Sequence, residues 1–307
     1  MPRWIEETFH PHWRVRLEAS KVLHEVKTGH QHIVIFENET WGKVLMLDGV
    51  CQLTTSDEFI YHEMMAHVPL MSLPQPARVL VVGGGDGGVL REVLKHPTVT
   101  KATLCEIDRA VIDLSLKHYP EIAGGAFDDP RTDVVIADGL RYVAETREKF
   151  DAIIVDSSEP IGPSAVLHTR EFFSDCKRAL KKAAVLVTQN GLPFLFPEHL
   201  RATSEIFASL FKATSPFLCT QPCYFGGPFA LNWGSDDAGV LEVPEAVLAR
   251  RTARRRIKAN YYTPAVHRAA FALPGYVSAA VAGLIDRQSN GSKRAQGGVA
   301  AGRARKR

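Results

Sequence analysis

A glycine-rich stretch at residues 79–92 constrains the fold of this chain more than any other part of the sequence. Four apolar residues at 79–82 run into glycines at positions 83, 84, 85, 87 and 88, and apolar residues then resume at helical spacing. This pattern predicts a buried strand, a tight turn and the start of a helix. Gly83, Gly85 and Gly88 match the spacing of a dinucleotide-binding fingerprint, in which glycines let the backbone approach a ligand closely.

Two carboxylates near this turn indicate which ligand it binds. Glu106 ends the next apolar run, about twenty residues further on, where a carboxylate can accept hydrogen bonds from both ribose hydroxyls. Asp86 lies inside the turn itself, where it would repel a pyrophosphate but attract a cation. The sequence therefore predicts an adenosine that carries positive charge, as in a sulfonium nucleoside.

Composition favours a globular protein with one large α/β domain and a smaller second one. The chain has 307 residues, of which 45% are hydrophobic, and this is ample for a buried core. No apolar run approaches the roughly 20 residues that span a bilayer, and the first residues lack the apolar core of a signal peptide, so we expect a cytoplasmic protein without membrane contact. The five cysteines and the histidines of the first part of the chain show no metal-ligand spacing, so we expect reduced thiols and no metal.

Positive charge is concentrated at the C-terminus. The net charge is +3, but residues 293–307 hold six of the 37 basic residues and no acid, which leaves 31 basic against 34 acidic residues elsewhere. Residues 286–307 lack an apolar period, and we expect a disordered basic tail rather than a nucleic-acid site. Five arginines and one lysine at residues 250–258 are expected to form a solvated helix face.

Residues 1–55 are predicted to form a small antiparallel β domain. Strands are expected at residues 21–28, 31–37, 42–47 and 50–54, and Asp48-Gly49 is a strong two-residue hairpin signal. The period changes at Ser56, which is predicted to cap a helix that continues to about residue 68.

Strands and helices alternate through residues 56–285, which we predict to form a second, larger domain. Beyond the glycine-rich strand, we expect strands at 102–107, 133–137, 151–155 and 184–189, helices near 87–95, 109–118, 139–147, 169–182 and 198–211, and a β hairpin at 214–224 and 229–233. This alternation predicts a parallel doubly wound sheet, whose ligands bind beyond the carboxyl ends of the strands.

Acids occur at four of these strand ends: Asp86, Glu106, Asp138 and Asp156. Each alone is also explained as a helix cap or a solvated loop residue, Asp138 before Gly139 above all. Four at one edge of the sheet favour a site for cationic ligands. The loop Asp156-Ser157-Ser158-Glu159-Pro160-Ile161-Gly162-Pro163 adds a second acid in a stiffened segment, which could hold an amine through charge-assisted hydrogen bonds or be an acidic loop without a role.

Several segments, in order along the chain, resemble those of the spermidine synthase (polyamine aminopropyltransferase) family. They are Leu47-Asp48-Gly49-Val50, Tyr61-His62-Glu63-Met64, residues 83–88, Cys105-Glu106-Ile107-Asp108, the loop at 156–163, Pro222-Cys223-Tyr224 and residues 261–267. The resemblance covers residues 20–280 and implies a Rossmann-like catalytic domain of the class I methyltransferase type. It also implies aminopropyl transfer from decarboxylated S-adenosylmethionine to putrescine, which gives spermidine and 5′-methylthioadenosine without a cofactor, in a homodimer or homotetramer.

The family's functional residues carry over to matching positions. Asp156 is implied to be the general base, and Tyr61 and Tyr224 to orient the attacking amine. Asp86 is implied to hold the ammonium of the aminopropyl group, and His62 to help form the polyamine site. The implied nucleoside contacts are Gln31, Glu106, Asp138, Gly139 and Pro163, and the remaining predicted substrate-binding residues are Ser157, Ser158 and Glu159.

This chain departs from the family pattern on the amine side. Glu159 stands where the family has Asp, Gln221 and Cys223 where Ile and Thr are common, and Ala165 and His168 where an acid and an aromatic are often found. One methylene in a pocket discriminates by only roughly 1–3 kcal/mol, so putrescine is expected to remain preferred, with cadaverine, agmatine and spermidine as alternatives. Two other classes stay open: a putrescine N-methyltransferase that uses intact S-adenosylmethionine, and a polyamine sensor without turnover.

Overall fold

The computed structural model describes residues 3–10, 12–158 and 162–285. Its strands are β1 (Arg3–His10), β2 (Trp13–Ala19), β3 (Lys21–Lys27), β4 (His32–Asn38), β5 (Gly42–Leu47), β6 (Val50–Thr54), β7 (Arg78–Gly83), β8 (Lys101–Glu106), β9 (Thr132–Ile136), β10 (Phe150–Asp156), β11 (Leu180–Gln189), β12 (Ala213–Cys219) and β13 (Phe229–Ser235). Its α-helices are α1 (Glu58–Ser72), α2 (Gly88–Leu94), α3 (Arg109–His118), α4 (Pro120–Ala123), α5 (Gly139–Glu145), α6 (Arg170–Ala179), α7 (Pro197–Leu210), α8 (Glu245–Arg255), α9 (Pro264–Ala270) and α10 (Gly275–Ala280). The predicted tail at 286–307 and Glu159 lie outside the described residues.

The largest sheet is the predicted doubly wound sheet with an antiparallel edge. Its seven strands have the order β12-β13-β11-β10-β7-β8-β9. Strands β11, β10, β7, β8 and β9 are parallel, whereas β13 runs antiparallel to both β11 and β12. Strands β3 to β6 form a separate antiparallel sheet in chain order, and β1 pairs with β2 as a hairpin. The arrangement agrees with a Rossmann-like domain preceded by an antiparallel β unit.

Strand β7 shows how helices cover both faces of the large sheet. Val79 and Val81 join an apolar cluster with α1 and α2, whereas Leu80 and Val82 join a second cluster with α5, α6 and α7. All four side chains are at most 1% exposed. Since neighbouring side chains of a strand point to opposite faces, a strand covered on both sides is apolar throughout, which is the pattern of residues 79–82.

Helix α3 joins the four-stranded sheet to the large one. Its Val111 and Leu114 pack against Ile33, Ile35 and Leu45. The predicted hairpin turn between β5 and β6 is confirmed, with positive φ angles of 49° at Asp48 and 79° at Gly49. The four-stranded sheet consequently lies beside the carboxyl ends of β7 and β8.

Some of the sequence-based boundaries are wrong. The predictions missed the hairpin of β1 and β2. Ser56 does not cap α1, because its hydroxyl donates to the carbonyl of Thr40 at 3.3 Å and Asp57 is the residue that precedes the helix. The predicted helix at 169–182 ends at Ala179, where the chain turns directly into β11 and Leu180 pairs with Phe150.

The basic group of α8 is only partly a solvated face. Arg250, Arg254 and Arg256 are exposed as expected, but Arg255 is 5% exposed. Arg255 and Arg251 together donate to five backbone carbonyls within residues 70–74, at 2.6–2.8 Å. These two arginines satisfy the carbonyls at the C-terminal end of α1, which have no partner inside the helix.

None of the helices within the described ranges is long and apolar enough to cross a membrane. All five cysteines are buried and free, as the sequence predicted.

Candidate active site

A cavity of about 240 Å³ opens at the carboxyl ends of β7, β8 and β10. Eleven of the predicted site residues line it: Gln31, Tyr61, His62, Asp86, Glu106, Asp138, Gly139, Asp156, Ser157, Ser158 and Tyr224. Glu159 lies outside the described residues, and so does the side chain of Pro163. The structure thus brings together residues that are up to 193 positions apart in the sequence, between Gln31 and Tyr224.

The glycines of the turn after β7 make room for side chains of the site. A Cβ atom at Gly84 would lie 2.7 Å from Asp156 Oδ2, and one at Gly85 would lie 3.0 Å from Glu106 Oε2. A Cβ at Gly88 would lie 2.1 Å from His62 Nδ1. We interpreted these glycines as places where the backbone approaches a ligand, but at these three positions the missing Cβ faces a side chain of the protein itself.

Asp156 ends β10 and is enclosed by the site. Its Oδ1 accepts a hydrogen bond from the hydroxyl of Tyr61 at 2.8 Å, while Oδ2 is buried without a hydrogen-bond partner among the described residues. Burial, followed by the negative charge of Asp86, raises the pKa of Asp156 to about 7. A carboxylate with this pKa and a vacant oxygen can accept a proton near neutral pH.

Asp86 and His62 form a buried pair next to Asp156. Asp86 Oδ1 accepts from the backbone N–H of Gly88 at 2.7 Å and lies 3.3 Å from His62 Nε2. Burial alone would lower the pKa of His62, but the carboxylates of Asp86 and Glu58 outweigh burial and raise the pKa to about 9. His62 therefore carries a positive charge at neutral pH, with the carboxylates of Asp86 and Glu58 beside it.

Glu106 lies at the end of β8 and is 7% exposed. Its Oε1 accepts from the backbone N–H of Asp108 at 2.9 Å. Burial raises the pKa of Glu106 to about 7. Gln31 reaches the same corner from the turn between β3 and β4, where its Nε2 donates to Asp108 Oδ2 at 3.1 Å. Asp108, which was not among the predicted site residues, thus links the four-stranded sheet to the carboxyl end of β8.

Asp138 is both a helix cap and a residue of the cavity, the two roles that the sequence left open. Its carboxylate caps α5 by accepting from the N–H of Leu140 at 2.9 Å, and the residue also lines the cavity. Gly139 follows at the first position of α5, where a Cβ would lie 2.5 Å from Val82 Cγ1. The cap and the glycine hold the N-terminus of α5 close against the large sheet.

The side of the cavity around Tyr61 and Tyr224 is held together by contacts between distant segments. The hydroxyl of Tyr224 donates to the carbonyl of Gln52 on β6 at 2.5 Å, and the rings of Tyr61 and Tyr224 are 6.1 Å apart edge to face. Burial raises the pKa of both phenols well above the usual value, so both stay protonated donors. Ser157 Oγ lies 3.3 Å from His168 Nε2.

Other residues, to which the sequence assigned no positioning role, hold these groups in place. Gln221 accepts from the N–H of Tyr61 and donates to the carbonyl of Asp57, each at 3.2 Å, so it fixes the start of α1. Glu58 lies one helical turn before His62, and that i, i+4 spacing was a signal that could have found it. Glu7, on the missed hairpin, lines the cavity and accepts from the N–H of Cys51 at 3.0 Å.

Within the described ranges, no group of three or more His, Cys, Asp or Glu side chains has an arrangement that could hold a metal ion.

Two family models match the chain. Residues 58–242 match the spermine/spermidine synthase domain, and residues 3–55 match the spermidine synthase tetramerisation domain. Two curated relatives are similar over most of their length. The chain is 47% identical to a polyamine aminopropyltransferase of Ruegeria sp. (strain TM1040), covering 89% of this chain and 96% of that protein. It is 46% identical to polyamine aminopropyltransferase 1 of Pseudomonas aeruginosa, covering 90% and 96%.

Two solved structures of spermidine synthases have the same fold as this chain. A spermidine synthase in complex with the transition-state analogue AdoDATO superposes with a TM-score of 0.86 at 36% identity, covering 92% of this chain and 96% of that chain. Spermidine synthase from Thermotoga maritima superposes with a TM-score of 0.83 at 35% identity, covering 92% and 95%.

Proposed function

The chain belongs to the spermine/spermidine synthase family and is an aminopropyltransferase, and we propose that it moves the aminopropyl group of decarboxylated S-adenosylmethionine to putrescine. The products are then spermidine and 5′-methylthioadenosine, and no cofactor takes part. The observation that supports this most strongly is the enclosure of Asp86, Glu106 and Asp156 in one cavity, with Tyr61 bonded to Asp156. Two cationic substrates need such a concentration of carboxylates.

The donor occupies the end of the cavity beside the glycine-rich turn. Glu106 accepts hydrogen bonds from the two ribose hydroxyls, as a carboxylate at the end of the second strand does in nucleotide-binding sheets. Gln31, Asp138, Gly139 and Pro163 surround the rest of the nucleoside. Asp86 holds the ammonium of the aminopropyl arm, which directs the reacting methylene and the sulfonium toward Asp156.

The acceptor amine is activated by Asp156. An alkyl ammonium has a pKa near that of Lys, about 10.4, and has no lone pair until it loses a proton. Asp156 takes that proton, the nitrogen lone pair forms the new C–N bond, and the C–S bond breaks with its electrons left on a neutral thioether. Tyr61 and Tyr224 orient the nitrogen, and alignment of nitrogen, carbon and sulfur supplies much of the acceleration.

The far end of the acceptor meets Ser157, Ser158 and Glu159, and His62 helps to form the polyamine site. Putrescine is the proposed acceptor, and the substitutions Glu159, Gln221 and Cys223 make cadaverine, agmatine and spermidine the alternatives to compare. Gln221 and Cys223 contact each other, with Gln221 Nε2 3.4 Å from Cys223 Sγ, close behind Tyr224.

The chain is proposed to act as a homodimer or homotetramer. Residues 3–55 match the tetramerisation domain of the family, and the N-terminal hairpin exposes Trp4 by 54% and Trp13 by 36%. Large apolar side chains exposed on a hairpin favour contact with another copy. Light scattering is expected to return at least twice the mass of one chain, and the mass of a single chain would contradict the proposal.

The decisive experiment incubates the purified protein with decarboxylated S-adenosylmethionine and a panel of putrescine, cadaverine, agmatine and spermidine. Mass spectrometry is expected to show methylthioadenosine and spermidine, with putrescine giving the highest kcat/KM. A preference of a hundredfold for another amine would replace putrescine as the acceptor. Addition of a methyl group from intact S-adenosylmethionine, without aminopropyl transfer, would overturn the assignment.

A further inference from the structure

His62 is held by a carboxylate at each ring nitrogen. Its Nδ1 bonds to Glu58 Oε2 within α1, and its Nε2 lies 3.3 Å from Asp86 Oδ1. The side chain of His62 is only 3% exposed, so water does not compete for either nitrogen. Two carboxylates beside one buried imidazole favour its doubly protonated, positively charged form.

Glu58 is itself fixed by a bidentate ion pair. Arg91 Nη1 donates to Glu58 Oε1 at 3.0 Å, and Nη2 donates to Oε2 at 2.9 Å. Arg91 is anchored in turn by Glu92 Oε1 and the carbonyl of Ile122, both at 2.7 Å. A planar guanidinium that bonds both oxygens fixes the orientation of a carboxylate as well as its position.

The backbone leaves space for this arrangement. The His62 ring packs on Gly88, the first residue of α2, where a Cβ would lie 2.1 Å from Nδ1. The same helix start donates the Gly88 N–H to Asp86 Oδ1 at 2.7 Å. One oxygen of Asp86 is therefore already engaged by Gly88 and His62, which leaves Oδ2 for a ligand cation.

We propose that Glu58, which is held by Arg91, is a positioning residue that keeps His62 as a fixed cation beside Asp86 and close to Asp156. This inference rests on the proposed function, because it concerns how the general base is kept ready. The charged and titratable groups that face His62 are Glu58 from α1, Asp86 from the turn before α2 and Asp156 from β10, with the Tyr61 ring 5.7 Å away.

The fixed cation explains how Asp156 remains usable as a base. Burial and the neighbouring Asp86 both favour the protonated form of Asp156, in which it cannot take a proton from the amine. The positive charge of His62 acts in the opposite direction and lowers the pKa of Asp156. Loss of the Glu58 carboxylate lets His62 give up its proton more easily, so Asp156 then needs a higher pH to ionise.

The direct test is a titration by NMR of protein with 13C-labelled histidine, in which His62→Asn identifies the His62 signal. In the wild-type protein the signal is expected to titrate with a pKa of about 9. In Glu58→Gln it is expected to titrate about two pH units lower, within the 1–3 units by which a nearby opposite charge shifts a pKa, so that much of its charge is lost near pH 7. A wild-type pKa near 6.5, or the same pKa in Glu58→Gln, would overturn the inference. A wild-type pKa near 6.5 would overturn the inference even if Glu58→Gln does not fold.

The functional test compares pH profiles of kcat/KM for the amine. The acid limb of Glu58→Gln is expected to move to higher pH by at least about half a unit, within the range by which a lost charge shifts a neighbour. Glu198→Gln is the matched control, because Glu198 is an exposed acid in the first turn of α7 and its loss leaves the acid limb in place. An identical limb in all three proteins would overturn the inference. Absence of aminopropyl transfer in the wild-type protein would instead contradict the proposed function, and the NMR titration would still read His62.

Discussion

Helix α1 carries two buried histidines whose surroundings differ. His62 lies beside the cavity between the carboxylates of Glu58 and Asp86. Five positions further on, His67 lies in the core, 3.1 Å from Glu92 Oε2 and 3.0 Å from the ring of His96. Burial, together with the charges near it, lowers the pKa of His96 well below its usual value, the opposite of His62. Burial alone therefore does not set the charge of His62 and His96; the signs of the charges around each ring decide it.

We call Glu58, His62, Asp86 and Asp156 the site group, and His67, Glu92, His96 and Arg255 the core group. Arg91 links the two, since its guanidinium bonds both Glu58 and Glu92. Arg255 closes the far end, where it lies 3.1 Å from His96 Nδ1 and bonds the carbonyls that end α1. The comparison predicts that changes in the site group cost activity, whereas changes in the core group cost stability.

The largest expected effect tests whether the site group, represented by Asp156, contributes to activity rather than to stability. Asp156→Asn is expected to lower kcat by about 10²–10⁴, the usual contribution of a general base. At pH 8 the variant is expected to be at least as stable as the wild-type protein. A carboxyl whose pKa is raised on folding destabilises the folded state once both states are ionised.

Steady-state kinetics and urea unfolding measure these two quantities. Asp151→Asn is the matched control on the same strand, because Asp151 lies at the other end of β10 and accepts from the N–H groups of Ala77 and Arg78 at 3.0 and 2.9 Å. It is expected to lose stability but not turnover. Near-normal turnover of Asp156→Asn would remove Asp156 from its proposed role.

The next largest effect tests whether the core group, represented by Arg255, contributes to stability rather than to activity. Arg255→Met leaves the carbonyls of Leu70, Leu73 and Pro74 without this donor, and the first two belong to buried residues, so the free energy of unfolding is expected to fall by about 2–4 kcal/mol. The kcat of the folded variant is expected to stay within about twofold of wild type, since Arg255 lies outside the cavity wall. Urea unfolding is the measurement, and Arg254→Met, at the exposed neighbouring position, is the control. A loss of turnover without a loss of stability would break the comparison.

The smallest expected effect concerns the hydrogen bond from Tyr61 to Asp156 in the site group. Tyr61→Phe removes the O–H that donates to Asp156 Oδ1, and kcat/KM is expected to fall by about tenfold, the worth of a hydrogen bond to a charged group. This hydrogen bond lowers the pKa of Asp156, so the acid limb of kcat/KM is expected near pH 7 in the wild-type protein and higher in the variant.

Tyr262→Phe provides the control, because the Tyr262 hydroxyl bonds His267 Nδ1 at 2.9 Å in the core rather than at the site. It is expected to leave the acid limb unchanged. The same limb in Tyr61→Phe and wild type would mean that Tyr61 does not tune the base.

The sequence was sufficient for the parts of the fold that depend on local pattern. Residues 79–88 encode a strand, a turn and a helix within a single stretch, and the acids at strand ends follow from the alternation of elements. The parallel sheet then places Asp86, Glu106 and Asp156 together, because the carboxyl ends of its strands meet at one edge.

Other features depend on contacts that no local pattern contains. Arg255 looked like part of a solvated face because it lies in a basic segment, yet it bonds to carbonyls about 180 positions earlier. Gln221 fixes the start of α1 across 160 positions. The break between α6 and β11 has no Gly or Pro, so the helical pattern ran on into the strand.

The bond from the Tyr224 hydroxyl to the Gln52 carbonyl ties the N-terminal region to the wall of the cavity. One of the two phenols that line the cavity is held by the four-stranded sheet, and Glu7 of the hairpin accepts a hydrogen bond from the backbone N–H of Cys51, the adjacent residue of β6. A graft of the N-terminal region from a relative would therefore succeed only if β6 and the loop of Tyr224 came from the same parent. The smallest segment set that can be exchanged between relatives therefore includes both Gln52 and Tyr224.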